Sequence, residues 1–573
     1  MGKALPESHF EPADAAQWTA MVEKLLRGAP VASLDRRDED GLITRALYPV
    51  VKGDAGQNIG QNIGIASADT SADTSTGGWS ICAPIKVGKL ANAEILTALA
   101  SGATALMLKD ADTAFLAETL DEVVLPAVGI GFQAPQAASD LYHALMALAG
   151  AKGYKAEDIA VDLGIDPFPV FSNHTRKLPD IPDKIPLGSA EITAGIDLHA
   201  SAPASHRLFC VDGWAWHNRG LTNVQELAFT VAAIAEILRK ANDAGIDPGA
   251  MAPRISVRLA LPSDMFSGIA KLRAMRILWA GLLSACGVDA RAAPLHLAGW
   301  ASLRMMSILD AEVNMLRTTT ALLGGAIGGA DAMAAYGHDA LSGESAAASR
   351  MVRMTQMMMI AESHLAASFD PSAGAPFIES RSDDFAEAGW AAFQEIERAG
   401  GLPAALASGV ITGQADRAAA ARDARLCSGE DDLLGVTLQP LHQPVAEIIP
   451  EFSGAMGVGR PATCIEDLRR SIVADPPRLL VILGAADARS DADVQDEKTL
   501  RRWLNIAGLN PLFLAADDIQ AITTARPDFV IGCGATLHPS TISEAGYLSA
   551  AQFSAADDKV AALHSFFAAG KGA

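Results

Sequence analysis

The chain is short of cysteine, of positive charge and of long apolar runs, and each shortage excludes something. Its six cysteines, Cys82, Cys210, Cys286, Cys427, Cys464 and Cys533, stand far apart and form no CxxC pair. That spacing points to a reduced, cytoplasmic protein whose thiols are structurally inert. Lys and Arg total 45 against 67 Asp and Glu, a formal net charge of −22 with the acid spread along the chain. Nucleic acid is therefore not an expected partner, because phosphates demand clustered positive charge. A small anionic substrate stays open, since a few local cations can override a global field. No uncharged apolar run approaches the ~20 residues a membrane helix needs. The opening MGKALPESHF has no apolar signal core, and Pro6 breaks the myristoylation pattern. Metal-ligand spacings are missing too, with no HExxH, no cysteine cluster and no HxxxH on a helix.

What is present is enough apolar material for large cores. The 573 residues are 50% hydrophobic, a length that suggests about two to four domains. Residues 1–45 predict a helical arm, since AAQWTAMVEKLL has apolar residues at helical spacing before a Gly-Ala-Pro stop. Residues 46–78 contain two tandem four-residue duplications, QNIGQNIG and SADTSADT, and predict a flexible low-complexity region without chemistry. From Trp79 the pattern is regular. Strand-like WSICAPI, ATALMLK, LPAVGIG, DIAVDLG, HRLFCVDG, RISVRLALPS, APLHLAGWAS and DAMAAYGHDA are each followed by a helix-like run. Eight such units predict an α/β fold of the (β/α)8 TIM-barrel type over residues 79–427, with a C-terminal helical extension. Residues 428–460 predict a linker. Residues 461–573 alternate strand and helix like a small flavodoxin-like α/β domain, degenerate because too little chain remains for five strands.

In a barrel, chemistry gathers where the strands end. After the fifth strand come Asp212, Gly213, Trp214, Ala215, Trp216, His217, Asn218 and Arg219; Trp300 follows the seventh, and His338 with Asp339 the eighth. Trp214, Trp216 and His217 suggest a mouth pocket for a large, partly apolar ligand. His217 has no neighbouring Cys, Ser or carboxylate pair in sequence, so a loop hydrogen bond is its simpler reading. His338 beside Asp339 is read as an ordinary loop pairing, because adjacent residues on a strand point to opposite faces, and no metal site is expected. Met351, Met354, Met357 and Met358 recur at helical spacing and predict core or interface packing. The run GGAIGGAD at 324–331 lacks the strand-then-helix context of a phosphate loop, so close helix packing is expected there.

Several blocks together resemble the adenosylcobalamin-dependent acyl-CoA mutases, the methylmalonyl-CoA mutase family, and within it the small (beta) subunits of its heterodimers. They are DGLITRALYP, ANAEILTALASGATALML, KLRAMRILWAGL, NMLRTTTALLGGAIGGADAM, SRMVRMTQMMMIAESHLAASFDPSAGAPFIE and EIERAGGLPAAL, from about Asp40 to about Gly409. In catalytic subunits the loop after the fifth strand carries Gly-Tyr-His. Set on this chain, Gly213 matches, but Trp214 stands at the tyrosine and Ala215 at the histidine. Cobalamin-binding members carry Asp-x-His-x-x-Gly after the first strand of the tail domain. Here RLLVILG is followed by Ala485, Ala486, Asp487, Ala488, Arg489, Ser490 and Asp491, with no histidine; His442 and His538 lie elsewhere.

The resemblance implies a partner that binds adenosylcobalamin and uses its radical to interconvert methylmalonyl-CoA and succinyl-CoA. This chain would be the small, non-catalytic subunit of that heterodimer, with no catalytic residue and no cofactor of its own. Its tail would be cobalamin-binding-like in fold only. Arg317, in NMLRTTT, is the polar residue the resemblance leaves nearest an acyl-CoA path, with an outer-helix salt bridge as the simpler reading. Two alternatives stand beside this. One is an independent, cobalamin-free acyl-CoA binder or enzyme using Trp214, Trp216 and His217; the other is the same partnership acting on a different acyl thioester.

Overall fold

In the computed structural model, which describes residues 14–48, 78–169, 188–368, 370–441, 446–449, 458–474, 479–483, 490–509, 511–515, 529–533 and 546–569, the eight apolar runs are the staves of a closed barrel. Residues 49–77 of the low-complexity region, residues 485–489, His442 and His538 lie outside the described residues. The strands are β1 Ser80–Lys86, β2 Ala105–Lys109, β3 Gly129–Phe132, β4 Val161–Ile165, β5 Arg207–Asp212, β6 Ile255–Leu261, β7 His296–Ala301 and β8 Ala332–Ala334. All pair in parallel with their neighbours, and β8 closes onto β1 with Ala332 opposite Ser80. The (β/α)8 barrel expected from the sequence is the fold.

Alternation along each strand separates two cores. In β1, Ile81, Ala83 and Ile85 join the large outer cluster beneath the helices. Cys82, one residue out of phase, joins an inner cluster with Met107, Ala260, Trp300 and Ala334.

The helices that matter below are α1 Ala15–Leu25, α2 Gly213–Arg219, α3 Asn223–Asp243, α4 Met265–Ala285, α5 Val313–Ile327, α6 Ala346–Ala361, α7 Pro376–Arg398, α8 Val410–Ser428, α9 Thr463–Ala474 and α10 Asp491–Ile506. Helix α3 is buried nearly all round, its polar Glu226 and Thr230 included, because α7 packs outside it. Gly389 of α7 allows that approach: a Cβ there would lie 3.3 Å from both Leu227 and Leu278. The glycine run works similarly. A Cβ at Gly324 would meet the Met265 carbonyl at 2.9 Å, and one at Gly328 would meet the Ile269 Cα at 3.0 Å, so the run is the seam of α5 on α4. The methionine stripe is not core. Helix α6 turns Met351, Met357 and Met358 outward and buries Met359 instead.

A hairpin, Arg36–Arg37 paired with Ile43–Thr44, presents three consecutive acids to the barrel. Asp38 pairs with Arg381 of α7. Glu39 accepts from Arg304 at 2.9 Å and Arg422 of α8 at 2.7 Å. Asp40 accepts from the Val224 amide in the first turn of α3 at 3.3 Å. Burial would raise the Glu39 pKa, but Arg304 and Arg422 hold it below the ordinary value. Asp40 has no such partner, and burial pushes it up to about 7. Helix α1, by contrast, buries none of its residues although Trp18, Met21, Val22 and Leu25 share one face.

The C-terminal part forms a second parallel sheet from β9 Leu479–Leu483, β10 Leu512–Ala515, β11 Phe529–Cys533 and β12 Gly546–Ser549. Its order is β10-β9-β11-β12, the start of the 2-1-3-4-5 order of doubly wound sheets. Leu468 of α9, Trp503 of α10 and Phe529 of β11 share its core with Cys427 of α8.

Candidate functional site

The mouth of the barrel is where the sequence places its candidates, and β5 delivers them. Its last residue, Asp212, caps α2 by accepting from the Ala215 amide at 3.1 Å. The other carboxyl oxygen accepts from Arg258 of β6 at 2.6 Å, with both side chains buried. The Arg258 guanidinium lies 4.5 Å from the Trp300 ring centroid and reaches the Met107 sulfur. Above it, Trp214 meets Trp300 edge-on at 5.3 Å and stacks on Tyr336 at 6.5 Å. An ion pair and three aromatic rings thus fill the upper bore.

More acid surrounds this plug. Burial and the neighbouring Asp212 push Asp166 up to about 8, with its carboxyl accepting from the Phe168 amide at 3.0 Å. Burial also raises Asp162. At neutral pH Asp166 is mostly protonated, which limits the negative charge around Arg258.

His217 belongs to a different network. Its Nδ1 lies 3.0 Å from Glu226 Oε2, and its Nε2 lies 3.1 Å from Ser302 Oγ. Lys271 donates to the same Glu226 oxygen at 2.7 Å, and the Ala260 amide donates to the other at 2.7 Å. Sequence reading found no serine or carboxylate near His217; the fold supplies both, from 9 and 85 residues away. Hydroxyl, imidazole and carboxylate in this order form the relay of a nucleophilic serine. Here, however, His217, Glu226 and Lys271 are at 0% exposure and Ser302 at 1%, so no substrate reaches the hydroxyl. Burial, with Arg304, Lys271 and Arg422 nearby, lowers the His217 pKa well below its ordinary value, and the ring is neutral. The imidazole pins the loop after β7 to α2 and α3.

The other candidates are also engaged. Trp214 Nε1 donates to the Ala301 carbonyl at 2.9 Å, and Trp216 Nε1 to the Phe168 carbonyl at 2.9 Å. Trp216 packs outward on Phe229, away from Trp214. Arg317 of α5 is buried, but not in a salt bridge: it donates to Asn314 Oδ1 at 2.8 Å and to the Leu434 carbonyl. All four side chains are buried. Asp339 accepts from the Ser345 amide at 3.2 Å and is not paired with His338 in the contacts described. Among the described residues no group of three His, Cys, Asp or Glu side chains could hold a metal ion. No described helix is long and apolar enough to cross a membrane.

Fold and site together define a (β/α)8-barrel protein with a four-stranded parallel sheet beyond the barrel and buried side chains packed at its strand ends. Comparison with known sequences narrows the class. The family model for methylmalonyl-CoA mutase matches residues 102–447. The methylmalonyl-CoA mutase small subunit of Streptomyces virginiae is 31% identical, over 76% of this chain and 71% of that protein. The small subunit of Propionibacterium freudenreichii subsp. shermanii is 28% identical over 62% of this chain and 55% of its own. The large subunit of Streptomyces virginiae matches at 31% identity over only 39% of this chain and 31% of that protein. The chain belongs to the methylmalonyl-CoA mutase family.

Proposed function

We propose that this chain is the non-catalytic small subunit of a cytoplasmic, heterodimeric, adenosylcobalamin-dependent mutase that interconverts methylmalonyl-CoA and succinyl-CoA. The observation that carries this reading is the filled bore, where Arg258, Asp212, Trp214, Trp300 and Tyr336 occupy the space an acyl thioester would need. Cobalamin does not fit the residues present either. A lower ligand requires an imidazole free to reach the metal, and His217 is held on both nitrogens. The loop after β9 has no histidine in sequence. The cofactor and the acyl-CoA are therefore assigned to the larger partner subunit.

What remains for this chain is to support that partner. A barrel can keep an association surface after losing its pocket, because apolar burial between subunits does not depend on catalytic groups. The unburied face of α1 and the outward methionines of α6 are the surfaces assigned to it.

The test is affinity purification of the full chain from its host, with mass spectrometry of what elutes in equal amount. A larger mutase subunit carrying Asp-x-His-x-x-Gly is the expected result. Recovery of this chain alone, binding an acyl-CoA tightly, would overturn the reading in favour of an independent binder.

A further inference from the structure

The segment leading into α9 does not hang beside the barrel; it is fastened across the strand ends. The Gly459 amide donates to the Asn218 carbonyl, after β5, at 2.8 Å. The Ile449 amide donates to the Leu341 carbonyl, after β8, at 2.9 Å. Between them, Val458 is buried in the same inner cluster as Trp214, Met306 and Leu341.

The centre of this fastening is Glu466, in the first turn of α9 and at 0% exposure. One of its oxygens accepts from Ser307 Oγ at 2.8 Å and from the Ile308 amide at 3.1 Å, both in the loop after β7. Arg460 forks onto both oxygens at 2.9 Å each, and also donates to the Met306 carbonyl at 3.3 Å. The carboxylate thus receives four hydrogen bonds, two of them from the barrel. A buried pair of this kind is hard to open halfway, because removing one partner leaves an uncompensated charge away from water.

We propose that Glu466 is a latch that holds the first turn of α9 and the segment leading into it against the barrel mouth, closed in the free chain. The loops after β5, β7 and β8 are tied to this segment through Gly459, Glu466 and Ile449 in turn. Opening the mouth therefore requires breaking the Glu466 bonds to Ser307 and Ile308, not only separating apolar surfaces. This does not rest on the subunit reading, since it concerns how one chain closes on itself.

The test is hydrogen exchange of the full chain, read by mass spectrometry on peptides spanning Ile308, Gly459 and α9. In the native chain these peptides should exchange as slowly as the loop after β5. Glu466→Gln keeps the size but loses the charge. It should speed their exchange by at least on the order of a hundredfold, while β6 keeps its protection. Should Glu466→Gln fail to fold, Arg460→Lys carries the same test, because it keeps the charge and loses the fork; a smaller rise confined to the same peptides is expected. Unchanged exchange in a folded variant, or native peptides that exchange like free chain, would overturn the latch.

Discussion

Arg258 and Asp212 face each other across β6 and β5 at 2.6 Å, each almost without solvent exposure, at the level where the barrel opens. The pair is both a structural tie and an obstruction, since the guanidinium also lies against Trp300.

Removing one side of that pair should cost more than removing both. Arg258→Met leaves the Asp212 charge uncompensated, and about 3–5 kcal/mol of stability should be lost. Adding Asp212→Asn should restore most of it. Urea denaturation of the two variants checks this; equal losses would mean the pair is not coupled.

His217 should matter for stability and not for turnover. His217→Ala takes one hydrogen bond each from Glu226, which keeps Lys271 and the Ala260 amide, and from Ser302, which keeps Asn218, and it leaves a buried void, so a loss of about 1–3 kcal/mol is expected. Mutase activity per assembled complex should be unchanged. A fall in kcat with assembly intact would return His217 to the chemistry.

Asp166 sets a pH dependence of definite sign. Its carboxyl titrates near pH 8 in the folded chain, well above an ordinary carboxylate. Between about pH 4 and 8 the folded state therefore holds a proton the unfolded state has lost, and stability falls as pH rises, by up to about 1.4 kcal/mol per unit. Asp166→Asn should abolish this contribution, so the variant gains on the native chain from pH 5 to pH 8. Parallel stability profiles for the two proteins would contradict it.

Truncations should separate the arm from the hairpin behind it. Deleting residues 1–29 removes α1, none of whose residues is buried, and should leave thermal stability intact while weakening capture of the large subunit. Deleting residues 1–40 also removes Glu39 and strands Arg304 and Arg422, so it should destabilise the barrel outright. Full subunit capture by the shorter truncation would free α1 from any role at the interface.

The sequence displayed its strands because parallel barrel strands are short apolar runs between helices. HRLFCVDG and RISVRLALPS became β5 and β6 with only their ends trimmed. LPAVGIG shows the limit: Leu125–Ala127 is a 3-10 turn and only the last residues enter β3. Periodicity also told that α6 has a methionine face but not which way it turns, since burial depends on neighbours and not on spacing alone. The site was harder still. His217 was visible, but Ser302 and Lys271 come from elements 85 and 54 residues onward by sequence number, and only the closed barrel brings them together. Glu466 gave no signal, because an acid in a helical first turn is ordinary.

The acidic hairpin also bears on how the chain is made. Glu39 and Arg422 are 383 residues apart, and Arg304 is 265 from Glu39. At ribosomal speeds of about 5–20 residues per second, roughly 20–80 seconds separate the synthesis of Glu39 from that of Arg422. The hairpin is thus made long before the partners it needs, a stitch drawn tight only after the barrel and α8 have left the ribosome.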